Sequence, residues 1–139
     1  MRILAVDYGD ARTGLAACDP TETLASPLCV LHERSAERLT ERIAAVAAEN
    51  NIEEIIVGNP VNMNNTRGPR SEKCAAFAGR LREAVAVPVT LWDERSTTVA
   101  ANNLLNETDK RGKKRKEVID AAAAAVMLES YLAYRRNRT

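Results

Sequence analysis

Apolar residues fall in short continuous blocks at the start of the chain and at helical spacing further on, and each change of period marks a new element. Ile3-Leu4-Ala5-Val6 is an unbroken apolar run, the pattern of a strand buried on both faces. Asp7 to Gly14 reads as a tight turn and Leu15 to Cys18 as a returning strand ended by Asp19-Pro20. Pro27 to Leu31 reads as a third strand, and three strands so close together predict an antiparallel meander. The period then lengthens. Ser35 suits an N-cap, and Leu39, Ile43, Val46 and Ala47 keep helical spacing as far as Asn50-Asn51.

Ile55-Ile56-Val57-Gly58 is another buried strand, followed by a polar, breaker-rich loop from Asn59 to Gly68. A second helix is expected to about Val85, with Cys74, Phe77, Ala78 and Leu81 on one face. Val87 to Trp92 reads as the fifth strand, with Pro88 tolerable near its start. A helix capped by Ser96 is expected to about Leu105, then a basic loop, then an alanine-rich helix from about Glu117 to Tyr134. Three hairpin strands followed by alternating helix and strand predict an α/β fold. Its mixed five-stranded sheet has three antiparallel then two parallel strands, with helices on both faces.

At 139 residues the expectation is one domain over 1–139. No apolar run approaches the ~20 residues of a membrane span. An acid at position 7 interrupts the first apolar run too early for a signal peptide, so a cytoplasmic protein is expected. Cys18, Cys29 and Cys74 are too few and scattered for a disulfide framework or zinc knuckle, and read as small buried hydrophobes. The single His32 cannot anchor a histidine metal site or a Ser-His-Asp triad. A net charge of +1 gives no global field for nucleic acid. Locally, Lys110-Arg111-Gly112-Lys113-Lys114-Arg115-Lys116 concentrates six cations in seven residues.

Three carboxylates stand where an acid is hard to explain by folding. Asp7 ends an apolar strand, and Glu94 follows Leu91-Trp92 in the same manner. In open α/β sheets ligands bind beyond the carboxyl ends of parallel strands, so both acids belong to one rim. Asp120 shares a helical face with Ala123, Ala124, Met127, Leu128 and Tyr131, a stripe suited to packing on the sheet. Burying a lone carboxylate there is costly, and that stripe offers no nearby arginine. Singly, Asp7 could cap a turn, Glu94 could pair with Arg95, and Asp120 could cap a helix end. Together they are better explained by a hard cation, magnesium or manganese, which would orient water and offset charge on a leaving oxygen.

Gly9 and Gly14 would permit a sharp turn beside Asp7 and close approach of a phosphate, which Arg12 could contact. Ser96, Thr97 and Thr98 would bring hydroxyls and helix N-terminal amides to the same rim, either as caps or as an anion site. Lys113, Lys114, Arg115 and Lys116, just before the helix of Asp120, are candidates for binding a phosphate backbone.

Four motifs now stand in order: Asp-Tyr-Gly-x-x-Arg-x-Gly at Asp7 to Gly14, Gly-Asn-Pro at Gly58 to Pro60, Asp-Glu-Arg-x-Thr-Thr at Asp93 to Thr98, and Val-Ile-Asp-Ala-Ala-Ala at Val118 to Ala123. With these the chain, from Arg2 to about Tyr134, resembles the YqgF (RuvX) family, a bacterial branch of the RNase H-like superfamily. The resemblance implies an RNase H-like fold and a metal-dependent nuclease that trims the 5′ end of pre-16S ribosomal RNA. An older family label is Holliday junction resolvase. Motif matching carries the catalytic set over to Asp7, Glu94 and Asp120 and gives Asp93 a supporting place. Ser96 stands where the family usually has leucine, and Asn64-Asn65-Thr66 where an Asp-Gly or Asn-Gly turn is common.

Other readings make different demands. A junction resolvase acting on branched DNA needs two active sites on a symmetric homodimer. Actin-like kinases and ATPases share the Asp-x-Gly turn but need two such domains around a nucleotide. A non-catalytic RNA-binding assembly factor would need only the basic segment, yet this chain keeps all three acids.

Overall fold

Alternation of side chains along the central strand organises the molecule. In a computed structural model, β1 (Ile3–Asp7) runs between β2 (Arg12–Cys18) and β4 (Glu54–Asn59). β3 (Ala25–His32) lies outside β2, and β5 (Val89–Asp93) lies outside β4, giving the order β3-β2-β1-β4-β5. The structure describes residues 1–59, 69–93 and 112–137, the side chains at 69, 93 and 112–120 excepted. β1 and β2, and β2 and β3, pair antiparallel; β1 and β4, and β4 and β5, pair parallel. The expected mixed sheet of three antiparallel and two parallel strands is therefore what forms.

Leu4 and Val6 point to one side of the sheet, where they pack with Leu39, Ile43, Phe77 and Leu81. Those partners come from α1 (Ala36–Glu49) and α2 (Pro69–Ala84). Ile3 and Ala5 point to the other side, against Ala124, Met127, Leu128 and Tyr131 of α3 (Gly112–Arg136). With helices on both faces, β1 is buried twice over, which is why its sequence is apolar at every position up to Asp7. Ser35 caps α1 as expected, accepting a hydrogen bond from the Arg38 amide. Pro69 opens α2, where its missing N–H costs nothing. The helix expected at 96–105 lies outside the described residues.

Several boundaries differ from expectation; β3 starts at Ala25 rather than Pro27, and β4 takes in Glu54 and Asn59. β2 starts at Arg12 rather than Leu15, so Gly14 is a strand residue paired with Asp7 and not part of the turn. β5 starts at Val89, because Pro88 has no N–H for the ladder; its carbonyl instead accepts from Ile55. α3 starts at Gly112 rather than Glu117, so Lys113, Lys114, Arg115 and Lys116 are helical and not loop. Lysine and arginine are good helix formers, and the alanine-rich segment behind them favours propagation into the charged run. Cys18 and Cys74 are buried, Cys29 is half-buried, and all three are free thiols. Burial pushes the Cys18 and Cys29 thiols up, away from reactive thiolate. No helix of the described residues is long and apolar enough to cross a membrane.

A polar clasp closes the end of the sheet where β1 begins. Glu54, opposite Ile3, is buried and accepts from the Tyr131 hydroxyl. Arg135 lies 3.6 Å from Glu54 and donates to Glu22 at 2.6 Å, and the N-terminal ammonium approaches Glu22 at 3.4 Å. Glu22 takes a left-handed backbone (φ 60°) in the β2–β3 turn. That turn is fixed by Asp19, whose carboxylate accepts from Thr21, Thr23 and Leu24 and is held well below its usual range, chiefly by the Thr21 hydroxyl. The Arg135 hydrogen bond lowers the Glu22 pKa in the same way. A depressed carboxylate contributes stability that is present above its unfolded pKa and lost as pH falls through the folded one. Arg135→Met should therefore destabilise the protein by about 2 kcal/mol at neutral pH, the worth of hydrogen bonds to charged groups. It should also flatten the loss of stability below the ordinary carboxylate range. Denaturant melts at a series of pH values test this; an unchanged acid limb would remove Glu22 from the account.

Candidate functional site

Parallel register brings the carboxyl ends of three strands to one rim. Val6 is level with Val57, and Val57 with Leu91. The next level up is therefore Asp7, Gly58 and Trp92, and Asn59 pairs with Asp93 just above. Glu94 follows Asp93 directly and lies outside the described residues. The rim is thus where the sequence pattern points, at the ends of β1 and β5.

Asp7 is half-buried and continues the alternation of Ile3 and Ala5, so it belongs to the face covered by α3. Its antiparallel partner across the sheet is Gly14. A cross-strand partner on the same face ordinarily stands close beside its neighbour. Gly14 is buried and adds no side chain beside Asp7, a different place from the turn expected of it. Gly9 does serve the turn: a Cβ at that position would lie 2.0 Å from the Arg12 carbonyl oxygen, so no side chain fits. The Gly9 amide donates to Thr13 Oγ1 at 3.3 Å, and Thr13 has no exposed surface. Arg12 begins β2, two residues before Gly14, and alternation puts it on the Asp7 face at the same rim.

Asp120 lies in α3 one turn before Ala124, which has no exposed surface, and its own side chain is outside the described set. The helix runs against the direction of β1. Tyr131, at the Glu54 end, is eleven residues beyond Asp120, a rise of about 16 Å. From Ile3 to Asp7 the strand rises about 13 Å. Position 120 accordingly stands at the height of the rim, with Lys113 to Lys116 in the turns beyond it. Among the described residues no three His, Cys, Asp or Glu side chains converge.

The Gly58-Asn59-Pro60 motif has a job that its sequence does not reveal. Asn59 is buried at the end of β4, and its Oδ1 accepts from Ser71 Oγ at 2.7 Å, with Ser71 wholly buried in the first turn of α2. This bond ties the start of α2 to the rim. Arg70 and Lys73 on the same helix are further polar residues that sequence reasoning missed, although their spacing with Phe77 and Arg80 marks one face.

Comparison with known proteins agrees with this architecture. A protein from Desulforamulus reducens named "Putative pre-16S rRNA nuclease" is 42% identical over 132 residues, 95% of this chain and 96% of that one. A protein of the same name from Thermoanaerobacter pseudethanolicus is 42% identical over 139 residues, covering 99% and 100%. Among solved structures, Thermus thermophilus RuvC in complex with a Holliday junction superposes with a TM-score of 0.64 at 16% identity, covering 99% of this chain and 97% of that one. The fowlpox virus resolvase bound to junction DNA gives 0.59 at 13% identity, covering 97% and 99%. At such low identity these two likenesses concern the fold, which is the RNase H-like fold of resolvases. The family model described as RuvX, Holliday junction resolvase, matches residues 1–134, and the chain belongs to the RuvX family.

Proposed function

We propose that this chain is a metal-dependent nuclease of one domain, residues 1–139, that processes the 5′ end of pre-16S ribosomal RNA in the cytoplasm. The observation that carries the reading is the position of Asp7: an acid at the end of a doubly buried strand, on the face of α3, with glycine as its cross-strand neighbour. Two strand spacings, roughly 10 Å, separate β1 from β5. An aspartate at the end of β1 and a glutamate one residue past β5 would have the length to meet across that gap, and Asp120 of α3 would supply the third carboxylate. Three carboxylates and no histidine form a hard oxygen donor set that fits magnesium or manganese. Asp7, Glu94 and Asp120 would hold the ion, which when bound supplies activation of water and offsets charge on the leaving oxygen. Arg12, at the same rim, would contact a phosphate next to the scissile one. Lys113, Lys114, Arg115 and Lys116, on the first turns of α3, would hold the strand by its backbone.

The names of the relatives at 42% identity support ribosomal precursor RNA as substrate. The family description and the fold shared with RuvC support a second reading, cleavage of four-way DNA junctions by a homodimer. One experiment separates them: manganese with labelled precursor RNA in one arm and a labelled four-way junction in the other. Trimming of the RNA with an intact junction is the expected result. Paired nicks in the junction with intact RNA would give the chain to the resolvase reading, and inertness in both arms would remove the nuclease.

A further inference from the structure

Arg70, Lys73 and Arg80 lie three and seven residues apart on α2, which sets them on one helical face with Phe77 between. That face borders the β1–β2 turn. Tyr8, Asp10 and Phe77 join Lys73 and Arg80 around an open groove of about 200 Å³. Arg70 stands beside it, on Tyr8 and Asp10. Its guanidinium donates to the Tyr8 carbonyl, sits 5.6 Å from the Tyr8 ring centroid, and lies 3.5 Å from Asp10 Oδ1. Lys73 Nζ is 3.6 Å from the same oxygen. The Tyr8 ring stacks on Phe77 at 4.2 Å, and the stacked pair lines the groove.

One carboxylate therefore faces two cations, with a third further along, and the groove keeps a net positive charge. All three paired groups are exposed: 43% for Arg70, 59% for Lys73 and 67% for Asp10. Exposed pairs of this kind are weak and exchange readily with other ions. Asp7 and Tyr8 face opposite sides of the sheet, so the β1–β2 turn is a ridge between the acid rim and the groove.

We propose that the groove of Arg70, Lys73 and Arg80 binds the phosphate backbone of the substrate strand where it leaves the acid rim. Asp10 occupies Arg70 and Lys73 as a competing anion until a phosphate displaces it. The inference rests on the nuclease reading and adds a second track, on the opposite side of the sheet from α3. A phosphate in the groove replaces a carboxylate between two cations, one of them, Arg70, held by the Tyr8 carbonyl and ring.

The test uses the full chain, chelator to prevent cleavage, and a single-stranded RNA titrated over a range of salt. Lys73→Gln with Arg80→Gln should weaken binding and reduce the slope of log affinity against log salt by roughly 0.7 for each phosphate no longer neutralised. Asp10→Asn should act in the opposite direction, tightening binding several-fold at low salt, because the competing anion is gone. A purely structural Asp10 predicts weaker binding, since its loss would loosen Arg70. Circular dichroism checks that each variant is folded. If the parent cleaves in manganese but the double variant keeps its affinity and slope, or Asp10→Asn binds less well, the groove is not a nucleic-acid track. If the parent neither binds nor cleaves RNA, the nuclease reading fails first and the groove with it.

Discussion

Asp7→Asn should reduce manganese-dependent cleavage by about 10³-fold, several kcal/mol of lost transition-state stabilisation, while leaving the fold intact. The size of the effect follows from position. Asp7 ends β1 level with Gly58 and Trp92, half-buried on the side of α3, and an amide there keeps the shape while removing the charge a hard cation requires. The capping alternative makes a different demand. A carboxylate that merely fixed the β1–β2 turn would cost about 1 kcal/mol when neutralised, and activity would follow stability. The turn already has its own fixings in the Gly9 amide on Thr13 and Arg70 on the Tyr8 carbonyl. Titration of manganese into parent and variant, beside cleavage rates and melts, separates the two. Parental metal affinity and parental cleavage in the variant would place the metal elsewhere.

How much of this is legible in the sequence depends on whether the signal is local. β1, α1 and the buried face of α2 announce themselves, since Ile3 to Val6, Leu39 with Ile43, and Phe77 with Leu81 each carry their period within one element. The rim is legible too, because an acid ending an apolar run is a contradiction visible in a few residues. Charge misleads where propensity decides. Lys113 to Lys116 read as a loop because like charges repel, yet helix propagation from the alanine-rich segment carries α3 back to Gly112. Long-range pairs are not legible. Arg135 meets Glu22 across more than a hundred residues, and Glu54 looks like the residue before a strand rather than its buried first member. Gly14 looks like a turn glycine because the reversal is completed in fewer residues than the motif spans. Its place opposite Asp7 exists only once the two strands are paired.

Asp120→Asn should abolish cleavage and, with chelator present, leave the protein as stable as the parent or slightly more so. Position 120 lies in α3 at the height of the rim, one turn before the buried Ala124. Without metal, carboxylates gathered at one rim repel, and removing one charge relieves both that repulsion and the cost of desolvation. Function and stability then pull in opposite directions, as they do at active sites generally. A helix-capping or ion-paired Asp120 predicts the reverse sign, a loss of about 1 kcal/mol or more. The helical context already weakens the capping alternative, because α3 begins at Gly112, more than two turns before Asp120. Arg135 of α3 serves Glu22 and Glu54 at the far end of the sheet. Denaturant melts of both proteins in chelator, with a manganese cleavage assay on the same preparations, give both signs at once. A less stable variant that still cuts RNA would make Asp120 architectural and leave Asp7 and Glu94 without their third donor.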